Sequence, residues 1–448
     1  MLGNAYTSVI NGIDAVSVKV EADISAGFPC FDITGNLGVA VRESRERVRM
    51  AIKNSGIRIV PARMIVNISP ADLRKEGTHY DLAVAVAVLQ AAGIIRQNLC
   101  ENIMFIGELG LNGELRPVRG VLPMVINWCK GGRQMVVLPR ENAMEASYVK
   151  DAKIIPASTL NEVIECIKGD FTEVPFENAK PLQSTEYGMD FADIHGQLSL
   201  KRAIMVAAAS MHNMLMIGPP GAGKTMAAER IPAILPPMTY EQQLELSGIY
   251  SVAGMVDREH PLITKRPFRS VHHTVTRAAL IGGGVIPNPG EISLAHGGVL
   301  FLDELAEFHK PVLEVLRQPL EEHKIRISRN SGCYEYPADF MLIAAMNPCP
   351  CGNYPDLNKC NCTKTQIQNY LGHVSQPFLD RMDLCVEASR VEYGELHKTG
   401  KEETSAEIRN RVCTARKIQE QRYEGTDIRT NSGIGVRQME EFCQIGEK

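Results

Sequence analysis

Residues Gly218–Thr225 spell Gly-Pro-Pro-Gly-Ala-Gly-Lys-Thr and match the pattern GxxxxGK[ST] at each fixed position. Gly221 and Gly223 let the backbone curl so that successive N–H groups face phosphate oxygens, with Gly218, Pro219, Pro220 and Ala222 completing the loop. A helix starting there adds its positive end. Lys224 suits the β- and γ-phosphates, and the Thr225 hydroxyl suits a Mg2+ ion. The apolar stretch Met214–Ile217 reads as a strand before the loop, and Met226–Arg230 reads as a helix after it. That context separates a phosphate loop from a glycine-rich turn with a surface lysine, so the chain is expected to bind a nucleoside triphosphate.

Hydrolysis needs more than binding. The stretch GGVLFLDEL places an apolar strand, Val299–Leu302, directly before Asp303 and Glu304. A carboxylate at such a strand end can reach the Mg2+ shell, and a second can orient and deprotonate water. A further strand, Phe340–Met346, ends at Asn347, whose amide can hold that water. Arg381, in FLDRMDL, is flanked by Asp380 and Asp383. Taken alone it reads as a surface ion pair. In this order of elements it reads as a cation offered to a neighbouring subunit's phosphates, which is why ATPases so equipped form rings.

Four cysteines, Cys349, Cys351, Cys360 and Cys362, fall within 14 residues as two C-x-C pairs. Gly352, Asn353 and Pro355 let the chain fold back between them, and four thiolates suit tetrahedral Zn2+. An iron–sulfur cluster and free thiols remain the other readings. The remaining eight cysteines are scattered and are expected, for the most part, to be small buried hydrophobes. His272 and His273 are adjacent, but no third metal ligand lies near them in sequence.

The elements that must position these groups fall into three textures. Over residues 1–169, β-branched runs (Val16–Val20, Met64–Ile68, Met135–Leu138) alternate with helical patterns such as Val41–Ser55, which predicts an α/β domain. Residues 170–189 are polar and proline-bearing and read as a linker. A second α/β pattern fills 190–390, and 391–448 turns helical. In that last stretch Thr404 and Glu407 make a capping box, and Ile408, Val412, Ala415 and Ile418 recur at helical spacing.

With 448 residues, 44% apolar and 22% charged, the chain has the composition of a folded multidomain protein, which excludes disorder and collagen-like folds. A formal charge of −4 neither demands nor forbids nucleic acid, so any basic surface must be local. The longest apolar stretch, Leu82–Ile95, is 14 residues and too short to span a bilayer, and the first residues carry no basic-then-apolar leader. No membrane partner and a cytoplasmic location are therefore expected.

GPPGAGKT, PGEISLAHGGVLFLDELAEF, LIAAMNPCPCGNY and FLDRMDL together resemble the Mg-chelatase-like AAA+ ATPases, most closely the YifB/ComM family. VRESRERVRMAIKNSG, NISPADLRKEG and GELGLNGELRPVRG resemble that family's Lon-protease-like amino-terminal domain. The resemblance covers nearly the whole chain. It implies a Lon-like α/β domain, an AAA+ P-loop α/β domain, and a hexameric ATP-driven motor acting on branched or single-stranded DNA in recombination or natural transformation. Where Lon proteases carry the catalytic Ser and Lys, this chain is read as having His79 and Met124, so peptide hydrolysis is not expected. The family's sensor-2 arginine lies in a lid segment for which this chain, ending at Lys448, shows no counterpart, so the helical lid is expected to be incomplete.

By the same resemblance, HKIRISRNSGCYEYP is a hairpin aimed at a central pore, with Lys324, Arg326 and Arg329 presented to a phosphate backbone. Arg269, His272, His273 and Arg277 form a second basic candidate, and both are open to the plainer reading of solvated hairpins. A metal-chelatase motor subunit would share the ATPase module without the amino-terminal domain. A protein unfoldase of Lon-like ancestry would share both.

Overall fold

A computed structural model describes residues 2–169, 176, 179, 187–284, 287–329, 332–390 and 402–443. The expected linker, 170–189, and the expected start of the lid at 391 fall largely outside these residues.

The amino-terminal half is a seven-stranded sheet in the order Cys30–Thr34, Arg63–Ser69, Asp14–Ser25, Leu2–Asn11, Ile103–Phe105, Met135–Pro139, Lys153–Ala157. Its centre is a long antiparallel hairpin, Leu2–Asn11 against Asp14–Ser25, with Asn11 opposite Asp14. Val18, Val20 and Ala22 alternate inward, the period of a strand with one face in a core. Helix Val39–Asn54 buries Val41, Ser44, Val48, Ala51 and Ile52, one apolar stripe at helical spacing. The apolar run that begins at Leu82 is a helix, Asp81–Ala91, buried at all 11 positions. It passes so close to the hairpin that a Cβ on Gly3 would lie 2.0 Å from the Ala87 carbonyl oxygen, leaving room only for glycine. Among the described residues, no helix is long and apolar enough to cross a membrane.

The second sheet has five parallel strands in the order Phe268–Val271, Val299–Leu302, Met341–Met346, Met214–Ile217, Leu384–Glu387. Val299–Leu302 and Met341–Met346 are buried throughout, as interior parallel strands covered on both faces must be. Ile217 pairs with Met346 and Leu302 with Ala344, so these strands end together. Open parallel sheets bind ligands beyond the carboxyl ends of their strands. Residues 218, 272, 303 and 347 all follow such ends closely.

Two expectations need correction. Helix Ser405–Arg422 carries the capping box, and Ile408 and Val412 are buried, but the next inward position is Gln419, whose amide donates to the Ala209 carbonyl at 3.0 Å. Ile418, one residue earlier and about 100° round the helix, is 53% exposed. Of the eight scattered cysteines only Cys100 and Cys166 are buried. Cys333, on a two-stranded sheet, and Cys385, on an edge strand, are both exposed.

Candidate nucleotide site and cysteine cluster

The loop following Met214–Ile217 enters helix Lys224–Ile234 with Gly221 at φ +75° and Gly223 at +77°. Both angles lie in the left-handed region that glycine adopts without strain. Gly218 is equally constrained, since a Cβ there would sit 2.1 Å from the Ala388 carbonyl oxygen. Gln197, which the sequence reading missed, braces the loop by donating to the carbonyls of Ala222 (2.8 Å) and Ser389 (2.7 Å).

Lys224 is buried, and its ammonium donates to the carbonyls of Gly218 (2.6 Å) and Pro219 (3.1 Å) and to Asn347 Oδ1 (3.1 Å). Burial lowers its pKa, and Asp303 opposes that shift. The Thr225 hydroxyl donates to Asp303 Oδ2 at 2.7 Å. Phosphate loop, acidic strand end and Asn347 amide thus meet at one point. A hydroxyl and a carboxylate in contact are hard oxygen donors of the kind Mg2+ takes.

Glu304 follows at φ +51°, a left-handed conformation that costs a non-glycine residue on the order of 1 kcal/mol or more. Its Oε2 lies 3.4 Å from His273 Nδ1. That nitrogen is buried without an aligned hydrogen bond, so the contact is one of proximity. His272, His273 and Glu304 place donor atoms within 4.8 Å of one another. The carboxylate that the histidine pair lacked nearby in sequence is thus brought beside it by the fold. Only the strand order, which sets Phe268–Val271 beside Val299–Leu302, reveals it.

Arg381 is positioned by Asn213, which accepts from Leu342 N (2.9 Å) and donates to the Arg381 carbonyl (3.1 Å). Its guanidinium donates to Glu321 of the same chain, Nε at 2.9 Å. It stands away from the contacts of Lys224 and Thr225, none of which includes it.

The expected hairpin forms, pairing Lys324–Arg329 with Gly332–Pro337, with Ile325 and Ile327 buried. Its charge is less basic than the sequence suggested. Glu335, on the return strand, pairs with Lys324 at 2.6 Å and Arg326 at 3.1 Å, and Glu322 adds a 3.3 Å contact to Arg326. Of the second basic candidate, Arg269 is held by both oxygens of Glu291.

Cys349, Cys351, Cys360 and Cys362 bring their sulfurs within 4.8 Å of one another. The contacts are 3.4 Å for Cys349–Cys351, 3.8 Å for Cys349–Cys360 and 3.6 Å for Cys351–Cys360. A Zn–S bond of about 2.3 Å in a tetrahedron implies sulfur–sulfur edges of about 3.8 Å, so the donor set and its size fit that ion. The Asn353 backbone N–H, with Cys349 beside it, brings the Cys351 thiol down to about 6. Gly352, at φ +77°, lies against the phosphate loop, where a Cβ would come within 2.4 Å of Pro220 Cδ.

The supposed proteolytic positions hold no nucleophile and no base. His79 is buried, donates from Nε2 to the Ser8 carbonyl at 2.8 Å, and is driven by burial down to about 4. Met124 is buried in the apolar cluster around Trp128.

A family model described as "Magnesium chelatase, subunit ChlI" matches residues 190–396, and one described as "Subunit ChlI of Mg-chelatase" matches residues 20–142. The competence protein ComM of Haemophilus influenzae is 40% identical over 453 residues, covering 100% of this chain and 87% of that protein. The uncharacterized protein YifB of Escherichia coli is 39% identical over 447 residues, covering 99% and 86%. Lon protease 2 of Bacillus subtilis is 28% identical over 200 residues, covering 38% and 35%.

Proposed function

The chain belongs to the ComM/YifB family of Mg-chelatase-like AAA+ ATPases, and on that premise we propose that it is a ring-forming motor that spends ATP to move along branched or single-stranded DNA. The observation that carries the ATPase part is the meeting of Lys224 with Asn347 and of Thr225 with Asp303 at the ends of three adjacent parallel strands. The backbone of residues 218–223 wraps the phosphates, and Lys224 exchanges its carbonyl partners for phosphate oxygens. Thr225 and Asp303 would hold Mg2+, whose charge would offset that of the phosphates. Glu304 orients the attacking water and takes its proton, Asn347 fixes that water, and His273 sets where the Glu304 carboxylate rests.

Arg381 reaches a neighbour's nucleotide by leaving Glu321, and this makes hydrolysis depend on a ring, a hexamer by family likeness. The cysteine cluster holds a structural Zn2+ that braces the phosphate loop through Gly352. The amino-terminal domain serves as a platform and not as a protease, since His79 and Met124 offer no Ser–Lys pair. In the hairpin, DNA phosphates replace Glu335 as partners of Lys324 and Arg326, alongside Arg329.

The test is strand separation on a fluorescently labelled four-way junction. ATP-dependent product that disappears when Lys324, Arg326 and Arg329 are together replaced by Ala is the expected result. No product with wild type at any ATP concentration contradicts the DNA motor. Turnover stimulated by unfolded protein in its place favours an unfoldase.

A further inference from the structure

A second site lies in the amino-terminal domain, away from the phosphate loop. The carboxyl end of helix Val39–Asn54, the segment after it and the edge strand Cys30–Thr34 enclose a cleft of about 840 Å³. Its walls are apolar, among them Phe31, Ile52, Ile57 and Met64. Volumes of about 300–1,000 Å³ are those that take a compact ligand. Phe28, 87% exposed, lies in the chain between Gly27, which packs on Arg63, and the wall residue Pro29.

The charge around this cleft is one-sided. From Arg42 to Arg63 the chain carries seven basic residues against two acidic ones. Arg45, Arg47 and Arg49 are paired with Asp32, Asp81 and Glu46. Lys53 and Arg58, which line the cleft, and Arg63, against which Gly27 packs, are exposed and have no acidic partner among the described residues. The hairpin differs, since Glu335 there occupies two of three cations.

An exposed aromatic ring beside unpaired cations on an apolar hollow is the combination that grips single strands: bases stack on the ring while phosphates meet the charges. We infer that this cleft is a binding site for single-stranded nucleic acid, with a base stacked on Phe28, a neighbouring base in the apolar hollow, and phosphates on Lys53, Arg58 and Arg63. Polyanion charge decides for nucleic acid over an apolar peptide. This inference rests on the reading of the chain as a DNA motor and locates a grip on the strand outside the ATPase module.

The experiment measures fluorescence anisotropy of a labelled oligo-dT with the full chain. It also follows alkylation of Cys30, which lines the cleft, by peptide mass. Phe28→Ala is expected to weaken binding about tenfold. Replacing Lys53, Arg58 and Arg63 by Ala is expected to make the slope of log affinity against log salt shallower by about 2. Oligo-dT should protect Cys30, and hydrolysis without polymer should be unchanged, since all four substituted side chains are exposed. Tight binding by wild type with Phe28→Ala unaffected and Cys30 unprotected overturns this site and leaves the motor reading standing. No binding of oligo-dT or of a junction by wild type overturns both. Protection of Cys30 by an acidic aromatic peptide but not by oligo-dT overturns it in favour of a protein partner.

Discussion

At the scale of single residues, neighbouring carboxylates occupy different surroundings. Asp303 accepts from Thr225 and is proposed for the metal, whereas Glu304, held by its left-handed backbone beside His273, is proposed for the water. Glu304→Gln is therefore expected to bind ATP with near wild-type affinity while hydrolysis falls at least about 100-fold, the usual scale of general-base loss. Nucleotide titration beside steady-state turnover checks this, and a parallel loss of affinity would contradict it. Lys224→Ala should lose binding itself, because its buried ammonium is the charge the loop offers the β- and γ-phosphates. His79 gives a pH prediction. Buried and neutral, it resists protonation down to about 4, whereas in the unfolded chain it takes a proton near its ordinary value of 6.5. Below 6.5 the unfolded state binds protons first, so stability should fall between pH 6.5 and 4, by about 3 kcal/mol in all. His79→Gln keeps a donor for the Ser8 carbonyl and should flatten that limb in denaturant titrations at stepped pH; an unchanged slope would place the acid sensitivity elsewhere.

At the scale of elements, the cysteine loop and the phosphate loop behave as one unit because Gly352 touches Pro220. Gly352→Ala puts a Cβ both in a left-handed conformation and against the proline ring. It is expected to raise the KM for ATP several-fold, with a stability loss of about 1 kcal/mol or more. Metal analysis of the purified chain should give one zinc per chain, lost on replacing Cys349 and Cys360 by Ser, with a lower melting temperature; full stability without metal would leave the cluster as free thiols. Much of this was legible in sequence, for physical reasons. The phosphate loop, the buried strands and the capping box are local patterns whose spelling dictates their shape. The four cysteines were legible because a turn-forming loop brings them together. What escaped was what strand order alone decides: Glu304 against His273, Gln197 bracing Ala222, Gly352 on Pro220. Charge on the hairpin escaped for a related reason, since Glu335 is nine residues from Arg326 in sequence and directly opposite it in register.

At the scale of the whole molecule, the two sheets are joined by a buried carboxylate. Glu145 accepts from the Ser251 hydroxyl, from Leu122 N (3.2 Å) and from Asn142 Nδ2 (3.4 Å). Helix Tyr240–Ala253 thereby docks on helix Val121–Lys130, with Gly120 N donating to the Ser251 carbonyl at 3.1 Å. Glu145→Leu strands the Ser251 hydroxyl and Leu122 N, at about 1–3 kcal/mol for each one left buried and unpaired, whereas Asn142 Nδ2 keeps its bond to the Val118 carbonyl at 3.0 Å. Faster proteolytic cleavage between the two sheets is the expected outcome. A ring also makes a prediction of its own. Chains carrying Arg381→Ala and chains carrying Lys224→Ala are each expected to be inactive, and mixing them should restore part of the hydrolysis. An inert mixture would leave Arg381 as the partner of Glu321 and no more.

The most direct test of the central claim is ATP hydrolysis by the purified chain alone, with single-stranded DNA, with a four-way junction and with unfolded protein, beside Lys224→Ala. Turnover raised by DNA and absent from the Lys224 variant is the predicted result. Turnover raised by unfolded protein and indifferent to DNA would contradict it.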